Sequence, residues 1–301
     1  KVDDINFKFF HINKWDNGEF KGDAISTTSE LVKISSDGNL GLEEGQKFER
    51  GGIYRFTVDV TKGNTKAVLT VEKVGKVDLP APDIFFGNDK MEVTDTDIYK
   101  SDQAFTQGQM ITVTGIDNLN EWWIDPDFFE KQSDGALKFL PINGDYRVTA
   151  NAVLKYFSVM ALKDGKPAKL QDDGTGAIWA IGKGIGKPSV TSSEVGWEPG
   201  KALCLAQVAS KKYQLTLKAG ETLKTSGDPE VISFKFFHQN DWGGEFGNYA
   251  NSILVEQLKL ADSGNLEMQD NKAFEEGAVY RFTIDVTNGN ANADLKVEKI
   301  N

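Results

Sequence analysis

Cysteine and histidine are nearly absent from this sequence, with one Cys and two His in 301 residues. Cys204 has no second cysteine to oxidise with, so no disulfide within the chain staples the fold. Its setting, Ala202-Leu203-Cys204-Leu205-Ala206, reads as that of a small buried hydrophobe. His11 and His238 lie 227 residues apart. No Cys/His metal cluster and no nucleophile triad can be assembled from these three side chains. Apolar runs of about 18 or more residues are lacking too, so no segment spans a bilayer as a helix. Positive charge is in deficit: 34 Lys and Arg stand against 45 Asp and Glu, a net charge of −11. Such a chain repels phosphate backbones and anionic lipid surfaces, which sets aside nucleic acid and electrostatic membrane docking. A neutral partner, such as a polysaccharide, meets no such penalty. No signal peptide is visible. Lys1-Val2-Asp3-Asp4 reads like chain already inside a domain, and any leader or anchor is expected to have been removed.

What is present is a duplication. Phe7-Lys8-Phe9-Phe10-His11-Ile12-Asn13-Lys14-Trp15 returns as Phe234-Lys235-Phe236-Phe237-His238-Gln239-Asn240-Asp241-Trp242, with seven of nine positions identical. Tyr54-Arg55-Phe56-Thr57-Val58-Asp59-Val60 returns as Tyr280-Arg281-Phe282-Thr283-Ile284-Asp285-Val286, with six of seven identical. Gly38-Asn39-Leu40 answers Gly264-Asn265-Leu266, and Val71-Glu72-Lys73 answers Val297-Glu298-Lys299. A fainter third copy lies between them, where Tyr146-Arg147-Val148-Thr149 echoes the Tyr-Arg-Phe-Thr strand and Ile111-Thr112-Val113-Thr114 runs toward Trp122-Trp123.

Large apolar and polar residues alternate along these blocks, the period of a sheet with one wet face. Gly63-Asn64 and Gly289-Asn290 suit tight hairpin turns. No convincing helix of three turns is found. Short strands with frequent Gly, Asn and Asp predict an all-β fold of tandem β-sandwich modules, immunoglobulin-like or carbohydrate-binding-module-like. The expected domains are a partial sandwich at 1–78, a middle sandwich at 79–172 and a C-terminal sandwich at 173–301. The last has about sixty residues before its Phe-Lys-Phe-Phe strand and the first has six. A sandwich without that half leaves an apolar face uncovered, so the native polypeptide is expected to extend further at its N-terminus.

Phe234 and Phe236 alternate into the core, leaving Lys235 on the other face and His238, Asn240 and Trp242 at or beyond the strand end. Loops at sandwich ends commonly carry binding residues. A sugar stacks its C–H face on an indole while amide, imidazole and ammonium groups meet its hydroxyls. The bland alternative is a Trp242 that covers the core edge. Trp197, in Gly196-Trp197-Glu198-Pro199, is a second candidate platform, and Trp179 reads as core. Lys8, His11 and Trp15 are the counterparts in the first copy. Adjacent strand residues face opposite ways, so of Trp122 and Trp123 at most one is core. Trp123 is taken as a platform or an interdomain contact.

Gly182-Lys183-Gly184-Ile185-Gly186-Lys187 lacks both phosphate-loop and dinucleotide spacing and reads as a Gly-rich loop before an edge strand. Asp125-Pro126-Asp127 is the nearest thing to a glycosidase carboxylate pair, and a turn explains it better. Asp95-Thr96-Asp97 lacks the glycine and distal Glu of a calcium loop. No cofactor, no metal and no catalysis are expected.

The last module, with Trp179 and Gly182 opening it, Gly196-Trp197 in a loop, then Phe234-Lys235-Phe236-Phe237 and Trp242-Gly243-Gly244-Glu245, resembles the modules of SusE/SusF-like outer-membrane lipoproteins of starch-utilisation-type systems in Bacteroidetes. The resemblance covers 174–301 best, 7–75 as a half module and the middle loosely. It implies a non-enzymatic, lipid-anchored, surface-exposed protein of the cell outer membrane that holds a glycan near an outer-membrane transporter. It also implies sugar-binding roles for Trp197, Trp242, Lys235 and Asn240. The lipidated cysteine of that group is not in this chain. The expectation is therefore a monomeric, non-catalytic binder of a neutral glycan in polysaccharide utilisation. The rival is a structural or adhesive surface protein whose aromatics pack modules together.

Overall fold

A computed structural model describes residues 5–13, 18–49, 51–77, 81–225, 231–246, 250–253 and 256–301. It is almost entirely β, arranged as tandem sandwiches, as the two-residue alternation requires. The chain divides into two compact units, 1–81 and 82–301.

The first unit contains β1 (Ile25–Thr27), β2 (Val32–Ile34), β3 (Leu40–Leu42), β4 (Gly52–Asp59) and β5 (Ala67–Lys76). β4 and β5 form an antiparallel hairpin, and β1 joins the far side of β5 in parallel through Ile25 opposite Ala67. β2 and β3 form a second hairpin, which Phe7 extends by a bridge to Leu40. Along β4 the large side chains Tyr54, Phe56 and Val58 turn inward and Arg55 and Thr57 outward. Phe20, Ile25, Val32, Leu40, Ala67 and Leu69 make the buried core.

The hairpin after β4 is longer than a two-residue turn. Asp59 Oδ1 accepts the Thr61 N–H at 2.8 Å, and Gly63 closes the loop at φ 88°. The second copy does the same, with Asp285 accepting from Thr287 N–H at 2.8 Å and Gly289 at φ 91°. The aspartate at the strand end opens a side-chain-capped turn before the glycine is reached, which carries the chain out of the ladder early.

In the second unit, β6 (Ile98–Phe105), β7 (Gly144–Asn151) and β8 (Tyr156–Lys163) form the centre of a five-stranded antiparallel sheet. β7 is the strand that carries the faint third copy. The Ile111–Thr114 run is split, since Ile111 pairs with Leu137 and Val113 with Phe86 in different sheets. The last module holds β9 (Trp179–Gly186), β10 (Lys212–Lys218), β11 (Ser233–Phe237), β12 (Ala250–Ile253), β13 (Leu258–Leu260), β14 (Leu266–Met268), β15 (Val279–Asp285) and β16 (Asp294–Lys299). One sheet runs β9-β11-β14-β13 and the other β10-β15-β16-β12. A single apolar cluster runs through the middle and last modules.

The Gly-rich stretch is not a loop. Gly182 and Gly184 lie inside β9, between Glu194–Gly196 and β11. A Cβ on Gly182 would meet the Phe234 Cα at 2.3 Å, at φ 141°. Glycine is there because the neighbouring backbone leaves no room for a side chain.

Phe282 is fully buried, while its duplicate Phe56 is half-buried. Phe282→Ala should cost about 3–5 kcal/mol of stability in chemical denaturation, and Phe56→Ala distinctly less.

Candidate functional site

β11 turns back on itself at Phe237. The His238 N–H donates to the Gly244 carbonyl at 2.7 Å and the Phe246 N–H to the Phe236 carbonyl at 3.1 Å. Gly243 and Gly244 both sit at φ 78°, which lets the loop close so tightly. Inside it, the Gln239 side-chain amide donates to the Trp242 carbonyl at 2.7 Å, and Asp241 Oδ1 accepts the Trp242 N–H at 2.8 Å. The loop carries Trp242 with its main chain hydrogen-bonded on both sides and its ring 50% exposed, at 75° to the Phe237 ring with the centroids 6.0 Å apart.

Trp197 directly follows the short strand Glu194–Gly196, which pairs with β9 on the side away from β11. Gly182 on β9 pairs with Gly196, whose φ of 57° turns the chain toward the short helical turn Pro199–Lys201. Trp197 is half-buried against the core. Its ring and that of Trp242 lie 6.2 Å apart at 25°. Two indoles from separate elements thus form one stacked unit, anchored on its inner side and open to water on the Trp242 side. Glu198, next to Trp197, is paired with Lys201 at 3.0 Å.

The other expected residues fall into three groups. Lys235 is half-buried on the outer face of β11, in register with Ile181, and Asn240 is half-buried in the Trp242 loop. The His238 ring packs edge-on to Phe246 at 4.2 Å, with Nε2 enclosed and lacking a partner among the described residues. Burial holds its pKa below the ordinary histidine value, so it is a neutral buttress of the loop. In the first unit, Lys8 is half-buried and the exposed His11 sits edge-on to Phe20 at 5.4 Å. Trp15 lies outside the described residues. Trp15 is the sole tryptophan of residues 1–81.

Trp122 is the core member of its pair, stacked on Phe157 at 4.4 Å. Trp123 takes the interdomain role. Its indole N–H donates to Glu221 Oε1 at 2.6 Å, linking the middle module to the last.

Sequence reading missed a buried ionic cluster at this same junction. Lys187 Nζ lies 2.7 Å from Asp125 Oδ2 and 3.2 Å from Asp127 Oδ2, and all three side chains are buried. Asp127 also accepts from Gln214 Nε2 at 2.7 Å and from the Thr216 N–H and Oγ1 at 2.6 Å each. Burial opposes its ionised form, but the Lys187 charge and these donors outweigh that, and its pKa lies below the usual carboxylate range. Burial dominates at Asp125 and raises its pKa. With four donors on Asp127, neither of its oxygens is left to take a proton from a substrate. A cavity of about 640 Å³ opens beside Asp125, Lys187 and Tyr156, and neither Trp197 nor Trp242 lines it. The cluster unites the Asp-Pro-Asp turn with the lysine that ends the Gly-rich stretch. Cys204 is buried as expected, and burial pushes its thiol up to about 12.

A family model described as a domain of unknown function (DUF5121) matches residues 1–61 and 173–287, and one described as a domain of unknown function (DUF5125) matches residues 77–170. No curated protein matches the chain.

Removing one member of a buried ion cluster leaves uncompensated charge, which typically costs about 3–5 kcal/mol. Lys187→Met should lower the stability of the second unit by that amount in urea unfolding.

Proposed function

We propose that this chain, which belongs to the DUF5121 family by a match over more than half its length, is a non-catalytic glycan-binding protein. The reading rests on Trp242, half-exposed, carried on a hydrogen-bonded loop and stacked beside Trp197. A large indole kept open to water on a fixed support is the platform on which a pyranose C–H face stacks. Gln239 and Asn240 adjoin it in the loop and supply amide groups for ring hydroxyls. The net charge of −11 disfavours a polyanionic ligand and leaves a neutral glycan unpenalised.

In this proposal the protein acts at the bacterial cell surface, as a SusE/SusF-like lipoprotein of the outer membrane that holds a neutral polysaccharide for an uptake complex. The rival reading, aromatics that pack modules together, has a specific observation in its favour at Trp123, whose indole N–H bonds Glu221.

Stacking on one aromatic contributes on the order of 1–3 kcal/mol, by analogy with bases on aromatic side chains. Trp242→Ala should therefore weaken binding at least about fivefold, with an unchanged circular dichroism spectrum. Affinity gels containing a panel of neutral polysaccharides measure this. Equal retardation of parent and variant on every glycan that retards the parent would end the reading. A parallel assay for reducing sugar should find none released.

A further inference from the structure

The first unit reproduces the second half of the last module strand for strand. The Phe7–Leu40 bridge corresponds to Phe234 opposite Leu266, β4 with β5 to β15 with β16, and parallel β1 to parallel β12. The packing agrees in detail. Phe7 meets Phe56 at 5.6 Å and 74°, and Phe234 meets Phe282 at 5.5 Å and 72°. Phe48 meets Tyr54 at 4.5 Å and 69°, and Phe274 meets Tyr280 at 4.5 Å and 62°.

The difference is in what lies alongside. In the last module β9 hydrogen-bonds to β11, and β10 to β15 over seven residue pairs. Among the described residues of the first unit nothing occupies either place, so β4 and the Phe7 segment are edges. Burial records the gap. Val286 is 1% exposed and Phe234 0%, whereas their duplicates Val60 and Phe7 are 49% and 38%. Tyr280, Phe282 and Ile284 are sealed, and Tyr54, Phe56 and Val58 are only half-buried. A long edge bearing Ile53 at 48% exposure, with unpaired backbone groups beside an apolar face, is a template for added strands.

We propose that this double edge is a docking surface for a polypeptide segment with the chemistry of a DUF5121 first half: a glycine-bearing strand like β9 against Phe7–Phe10, and an alternating Tyr-x-Leu-x-Leu strand like β10 against β4. The occupant follows from the last module, where strands of that pattern cover β15. β4 repeats the Tyr-Arg-Phe-Thr sequence of β15, so it offers the same ladder and the same inward side chains.

The test joins a second copy of residues 174–227 directly ahead of Lys1 of the full chain, which preserves the 227-residue offset of the repeat. Hydrogen exchange then follows the β4 amides that β5 leaves unpaired. They should exchange at least about tenfold more slowly in the fused protein. The same fusion with aspartate at the two copied leucines, equivalent to Leu215→Asp and Leu217→Asp, should lose that protection. As a second measurement, a synthetic peptide of residues 210–220 added to the unmodified chain should slow the same amides, and a scrambled peptide should not. Unchanged exchange in both the fusion and the peptide titration overturns the proposal. So does a concentration-dependent dimer of the unmodified chain that protects β4, which would make the occupant a second copy.

Discussion

The contact of Phe234 and Phe236 on β11 with Phe282 on β15 joins the two sheets of the last module, and the candidate site grows out of it. Fully burying a phenylalanine is worth about 1.5–3 kcal/mol, and each aromatic pair adds about 0.5–1.5 kcal/mol. These three rings fix where β11 lies and where it ends. Phe237, the last residue of β11, is buried under the edge of Trp242, so the exposed indole stands on a strand whose position the core has already set. Gly182 serves the same contact from the other side. Its missing side chain lets β9 approach Phe234, and the strand Glu194–Gly196, paired with β9, delivers Trp197 to the same corner. Core packing and site geometry are consequences of one arrangement.

The junction of the middle and last modules works differently. A buried lysine between two aspartates has a large desolvation cost, and apolar replacements can be as stable or more so. What such a cluster adds is direction. Lys187, Asp125 and Asp127 satisfy one another, with Gln214 and Thr216, in this one docking of the modules. Trp123 bonded to Glu221 adds a second oriented contact. A single apolar cluster runs beneath both, so residues 82–301 form one compact unit rather than two modules on a linker.

The two copies of the repeat are an internal comparison of one sequence in two settings. Tyr-Arg-Phe-Thr becomes a sealed central strand where β10 lies beside it and a half-buried edge where nothing among the described residues does. The local pattern sets which side chains turn inward; the neighbouring strand sets how completely they are covered.

Read alone, the sequence was sufficient for the all-β class, the duplication, the inward-facing Phe234, Phe236 and Trp179, and the buried Cys204. Each rests on local periodicity or composition, and a strand's alternation holds whatever lies next to it. It also singled out Trp197 and Trp242, from polar and glycine-rich neighbours unlike a core. It read the Gly182–Lys187 stretch as a loop, because glycine lowers strand propensity and the strand crowding it is some fifty residues away. Only the tertiary structure decided that Trp197 stacks on Trp242, that Trp123 bonds across to Glu221, and that Lys187 sits between carboxylates 60 and 62 residues distant. Those are choices of partner through space, and they follow from strand order and sheet register, which no local pattern encodes.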